Sequence, residues 1–336
     1  MQQSNTLSLR HELLRKRTLF SFALSLLLIY LFFSRTTLGN IARHVKDVDP
    51  FFFFLAFVSH YISYLVRGYR WKKMIEETEF SGRSFDLAKM IFLFQSINCV
   101  LPAKLGDLYG AHLMKINFSL RRSFSLGSIF LWRIMDMVIA MIIVVASTFA
   151  LFGNKIPPEI VSALKVAGLC LLALLALLGV FFPSHKHFPV KWKSERIRGL
   201  IDSFQQGLRF KRKLIPLLLV STTAIWVLEA GRFFFVCRSM AVDISLISVL
   251  FISTCSALLT AFPFTPSGLG AVELGMVGLL AFVGIQGPVA YPLIMGDRLI
   301  AHWSQLLLGI LFVLFNKAIR LKAWQSQEDG ASSLIR

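Results

Sequence analysis

Eleven ionisable residues in this 336-residue sequence lie inside or against apolar runs: Arg67, Arg70, Lys104, Asp107, Arg133, Asp136, Glu229, Arg232, Glu273, Asp297 and Arg298. A charged side chain in hydrocarbon costs roughly 2.5 to 3.5 kcal/mol on insertion scales, so each needs a partner or a wet cavity. Arg133 and Asp136 are three residues apart and share a helix face, as do Glu229 and Arg232. Asp107 and Glu273 each follow a short Pro-x-x-x-Gly break, Pro102 to Gly106 and Pro266 to Gly270. Such a set can do one of two things. It can lock helices together through internal salt bridges, or it can hold an anionic group, because arginine donates in pairs and fits phosphate.

Other chemistries find no support. The sequence has no HExxH pair, Walker loop, Gly-x-Ser-x-Gly elbow or dinucleotide fingerprint. Cys99, Cys170, Cys237 and Cys255 stand apart in apolar surroundings, without CxxC spacing. Neither a disulfide framework nor a metal site follows, and no cofactor is expected. The formal net charge of +18 would suit nucleic acid or anionic lipid. Its basic residues cluster in short loops between apolar runs, which is the positive-inside pattern of a membrane protein and not a nucleic-acid surface.

Only 16% of residues are charged and 56% are hydrophobic, against about 25% charged in a soluble domain. The expected fold is therefore an all-α integral membrane protein. Six stretches read as full spans: Leu19 to Phe33, Phe51 to Tyr69, Phe124 to Phe152, Val161 to Phe182, Leu214 to Cys237 and Val289 to Phe315. Two further apolar regions, 87–118 and 245–284, are broken in the middle by Pro102 and Gly106, and by Pro263, Pro266, Gly268 and Gly270. Proline removes a backbone donor and glycine favours a turn, so each reads as a re-entrant helical hairpin. Irregular backbone at that depth must be surrounded by protein or line a cavity.

The loops carry the orientation. Arg10, Arg15, Lys16 and Arg17 precede the first span, a basic loop covers 184–213, and Lys317, Arg320 and Lys322 follow the last span. All three belong on the cytoplasmic side of the cytoplasmic membrane, with both termini inside. In the loop, Ile197, Leu200, Ile201, Phe204 and Leu208 recur at helical spacing, giving either an interfacial helix on anionic lipid or a linker packed on the bundle.

The sequence also repeats itself. Pro102-Ala-Lys-Leu-Gly106 matches Pro266-Ser-Gly-Leu-Gly270 at a spacing of 164, and Arg67 matches Arg232, and Arg133 matches Arg298, at 165. Each half crosses an odd number of times, so the two must be inverted. The divisions are 1–158 for the first repeat, 159–320 for the second and 321–336 for a polar cytoplasmic tail. A cytoplasmic half-site would then hold Arg67, Arg70, Lys104 and Arg133, and an outer one Arg232 and Arg298 with Glu229, Glu273 and Asp297.

Five segments carry a resemblance: Val66-Arg-Gly-Tyr-Arg-Trp71, Leu101-Pro-Ala-Lys-Leu-Gly-Asp107, Arg133-Ile-Met-Asp136, Pro263 through Glu273, and Asp297-Arg298. Through them the chain resembles the flippase-like membrane family, best known as the membrane region of lysylphosphatidylglycerol synthase/flippase proteins, and in particular its standalone UPF0104-type members. The resemblance implies movement of a headgroup-bearing lipid between leaflets, with membrane lipids as substrate. The soluble aminoacyl-transferase domain of the synthases is absent from this sequence, so an enzyme is not expected. The alternatives are a membrane-embedded transferase using a polyprenyl-phosphate-linked donor, or a secondary transporter of a small anion. A homodimer and a separate lipid-modifying enzyme are compatible partners.

Overall fold

The computed structural model describes residues 16–34, 47–76, 80, 82–101, 104–181, 195–260 and 265–315. Pro102, Pro263 and the 321–336 tail lie outside them. Every regular element among the described residues is helical. In chain order they are α1 (Lys16–Phe33), α2 (Pro50–Ile75), α3 (Ser84–Asn98), α4 (Leu105–Phe118), α5 (Arg122–Phe152) and α6 (Pro158–Phe181). Then come α7 (Glu195–Leu208), α8 (Ile215–Ser239), α9 (Leu246–Leu259), α10 (Ala271–Phe282), α11 (Ala290–Arg298) and α12 (Gln305–Phe315). A π-helical segment, Leu299–Ser304, joins α11 to α12.

Five stretches are long and apolar enough to cross a membrane: Pro50–Ile75, Arg122–Phe152, Pro158–Ala176, Arg212–Ser239 and Gly287–Phe315. These correspond to five of the six expected spans. The sixth is the shorter α1. The ends of the spans follow from local chemistry. Asp49 caps α2, its carboxylate accepting from Phe51 N at 2.8 Å, with Pro50 in the first turn where no amide partner is needed. Gly153, at φ +55°, closes α5 in a conformation that glycine adopts without strain.

The two broken regions behave differently from the spans. α3, α4, α9 and α10 have 15, 14, 14 and 12 residues. At 1.5 Å per residue each is about 18 to 22 Å long, short of a hydrocarbon core of about 30 Å. α3 and α4 lie antiparallel and close together. A Cβ on Gly106 would meet the Phe94 carbonyl at 2.3 Å, and Phe80 stacks edge-on against Phe118 at the open end. α10 likewise folds back on α9, with Gly275 against the Leu259 side chain.

α2 and α8 form the centre of the bundle and run antiparallel. Asp49 N donates to Ser239 O at 2.7 Å, Ser59 Oγ to Leu228 O at 2.7 Å, and Arg70 to Thr222 Oγ1 at 2.7 Å. These two helices occupy matched positions, 165 residues apart. The hairpins also cross over: α3 packs on α12 and α9 packs on α5. Ser96 Oγ on α3 donates to Gln305 O at 3.1 Å. Two apolar cores result, one about Trp71, Phe94 and Trp132, the other about Phe233, Phe251 and Met276. Buried hydroxyls such as Ser147, Thr148, Thr222 and Ser253 bond back to carbonyls of their own helix, which removes the cost of placing them in an apolar setting.

The loop helix α7 divides between its two expected settings. Its last turns pack on α5 through Gly207 and Gly127, where a Cβ on Gly127 would meet the Phe204 carbonyl at 2.1 Å. Its first turns leave Ile197 and Leu200 exposed.

Candidate functional site

All eleven charged residues singled out from the sequence are described, and ten of them form ion pairs. The first group lies where α2, α5, α8 and α11 meet. Arg70 reaches Asp136 on α5 with both guanidinium ends, at 2.6 and 3.3 Å, and its side chain is 1% exposed. Arg67 lies 3.0 Å from Glu229 on α8 and 3.6 Å from Asp136. Arg232 binds Asp297 on α11 at 2.8 and 3.3 Å and also donates to Glu229, with His60 Nδ1 at 3.3 Å. Three arginines meet three carboxylates, so this group is balanced. Asp136 lies about 21 Å from the start of α5 at the helical rise, which is near mid-depth of that 31-residue helix.

Arg133 and Asp136 share a face of α5 and turn to different partners, Asp136 to Arg70 and Arg133 to Asp107 at the hairpin. One expectation changes here: the two half-sites do not stay separate, because the Arg67 to Glu229 contact joins the first half to the second. Helical spacing shows which residues share a face but not which neighbouring helix that face meets.

The second group lies at the hairpin tips and has the same plan in both halves, an arginine bound to a carboxylate just past the break. In the first half, Arg133 donates through Nε and Nη2 to Asp107 on α4, at 2.5 and 2.6 Å. In the second, Arg298 Nε donates to Glu273 on α10 at 2.8 Å. Each carboxylate also holds its own tip. Glu273 accepts from Gly270 N at 2.6 Å, while Asp107 accepts from Asn98, whose Oδ1 in turn accepts from Gly106 N at 2.8 Å. The tips need left-handed backbone, found at Lys104, Ser267, Gly268 and Gly270. Pro266 and Gly268 are buried in the second turn. The tips also lie near each other, with the Cys99 side chain within electrostatic reach of Lys104, Ser267 and Arg298.

Exposure separates the matched pairs. The Arg133 and Asp107 side chains are 26% and 13% exposed, whereas Arg298 and Glu273 are 5% and 7%. Sequence reasoning missed several members of these groups. Asn98 and His60 were legible as polar residues in apolar runs. Trp132, whose ring centroid lies 5.6 Å from the Arg70 guanidinium and 4.9 Å from that of Arg133, gave no signal beyond its neighbour's charge. Among the described residues no cluster of His, Cys, Asp and Glu has the arrangement of a metal site.

A UPF0104 membrane protein of Methanocaldococcus jannaschii is 30% identical over 225 residues, covering 66% of this chain and 95% of its own. Another from Pyrococcus horikoshii is 24% identical, covering 91% of this chain and 98% of its own. The glycosyltransferase AglD of Haloferax volcanii is 23% identical over 73% of this chain, but the match takes in only 45% of that protein. The family model described as the lysylphosphatidylglycerol synthase TM region matches residues 18–309. With its apolar helices and hairpins inside that span, the chain is a multi-pass membrane protein and belongs to the family of the lysylphosphatidylglycerol synthase transmembrane region.

Proposed function

We propose that this protein is an ATP-independent lipid flippase that moves a headgroup-bearing, phosphate-containing lipid between leaflets of the cytoplasmic membrane by alternating access. The observation that carries this reading is the unequal exposure of the two matched tip pairs, 26% and 13% against 5% and 7%. A transporter with two inverted halves occupies one asymmetric state at a time, with one side open and its counterpart shut. Exchange of the two environments would carry a headgroup across while its chains stay in lipid. The antiparallel packing of α2 and α8 supports the inverted relation. Both termini are read as cytoplasmic from the basic loops.

The family's name supports a lipid substrate, since the synthase it describes makes a phospholipid. We read the chain as a transporter and not an enzyme. The likeness to a glycosyltransferase favours one competing reading, a transferase that uses a polyprenyl-phosphate-linked donor. Proteoliposomes separate them. The flippase reading predicts that a fluorescent phospholipid becomes accessible to an external quencher in both leaflets. Arg133→Ala and Arg298→Ala should slow this while the protein stays folded. Unchanged rates in both variants would remove these residues from the path, and transfer of sugar from a labelled lipid-linked donor would favour the transferase.

A further inference from the structure

Lys104 occupies a position where its counterpart is glycine. In the matched tips, Pro102-Ala-Lys-Leu-Gly106 and Pro266-Ser-Gly-Leu-Gly270, Lys104 corresponds to Gly268. Both are left-handed, at φ 56° and 70°. Glycine takes that conformation freely, whereas a lysine there is strained. Strain kept at a tip directs attention to what its side chain does. Lys104 makes no hydrogen bond and no ion pair with any described residue, but lies within electrostatic reach of Arg133, Asp107 and Arg298.

The charge count at the tips gives the rest. Three cations, Lys104, Arg133 and Arg298, face two carboxylates, Asp107 and Glu273. Arg133 commits two donors to Asp107. Arg298 is 4% exposed and commits Nε to Glu273, leaving its Nη2 buried with no acceptor among the described residues. An unpaired charge and an unmade charged hydrogen bond in an apolar setting are both costly, and one oxyanion between them relieves both. α4 and α10 also begin at the tips, so the positive ends of both helix dipoles lie there. Cys99 lies between the two tips, within electrostatic reach of Ser267, Lys104 and Arg298.

We propose that Lys104 and the free Nη2 of Arg298 form an oxyanion site between the hairpin tips that takes the phosphate of a lipid headgroup. The lipid source rests on the translocation reading, and the oxyanion rests on the geometry alone. The site narrows the candidates at the tips to two; Arg67 Nε and Arg70 Nε are also buried without acceptors among the described residues, but they belong to the central group, where three arginines already meet three carboxylates.

The test is retention of lipid by the purified full-length protein, read by native mass spectrometry with phosphatidylglycerol, with a galactolipid that lacks phosphate, and with inorganic phosphate alone. The wild type should retain phosphatidylglycerol in preference to the galactolipid. Lys104→Gly should lower that retention by about tenfold or more, the effect of losing one charge-assisted contact. Its unfolding temperature should stay level or rise, because glycine suits the left-handed turn. Lys104→Arg should restore retention. Equal retention by wild type and Lys104→Gly would overturn the site. Binding of inorganic phosphate with no preference for phosphatidylglycerol would overturn the lipid source. If Lys104→Gly loses retention and the wild type moves no lipid, the site stands and the flippase reading falls. If the wild type moves lipid and Lys104→Gly both retains and moves it equally, the reverse holds.

Discussion

At the scale of single residues, most of the buried charge in this protein is already spoken for. Arg70 is almost wholly buried against Asp136 and Thr222, so Arg70→Ala leaves a carboxylate with only the more distant Arg67. Removing one partner of a buried pair costs about 3 to 5 kcal/mol, and a fall in thermal unfolding of that order is expected in detergent. The paired change Arg70→Leu with Asp136→Leu should cost less than either single change, since it removes both charges together. Arg133→Ala should be milder than Arg70→Ala, because the Arg133 side chain is 26% exposed. The residue types and positions of these groups were all legible in the sequence. Their partners were left open between alternatives, because partner choice depends on which helices touch. The spacing of Arg133 and Asp136 is satisfied by two different neighbours, and only the packing of α2 and α4 against α5 reveals it.

At the scale of elements, the hairpins are held by close backbone approach as much as by charge. Gly106→Ala would drive a Cβ into the Phe94 carbonyl, and overpacking of this kind costs about 1 to 3 kcal/mol. Gly168→Ala is the matched control, because nothing lies within 4 Å of a Cβ there; its unfolding temperature should not fall. Gly127→Ala should loosen α7 from α5, and protease cleavage in α7 should then become faster than in the wild type. The breaks themselves were readable from Pro and Gly in apolar runs. The π-helical segment after Arg298 was not, because Leu299–Ser304 is as apolar and helical in pattern as the matched part of α5. Extra backbone width of this kind depends on what packs beside it. Here Ser304 Oγ meets the Tyr61 hydroxyl at 2.6 Å. The fate of α7 was likewise open, since one apolar stripe serves equally well for lipid or for α5.

At the scale of the molecule, the proposed alternating access depends on two related halves placed head to tail. The matched offsets were visible in the sequence, and the parity of crossings required opposite orientation. The two helices at matched offsets, α2 and α8, run antiparallel. What no count of spans could supply is the contact between the halves: the Arg67 to Glu229 pair at the centre and the approach of Cys99 to Ser267 at the tips. Alternating exposure requires the tips to move relative to one another, and the nearness of Cys99 and Ser267 offers a direct handle. Ser267→Cys places a second thiol near Cys99, so oxidation can join the two hairpins with a disulfide whose formation is checked by mass. Movement of a fluorescent phospholipid in proteoliposomes of this variant is the decisive measurement. The oxidised protein should fall to the rate of protein-free vesicles and recover on addition of a reductant. Lipid movement at the wild-type rate by fully cross-linked protein would contradict the account.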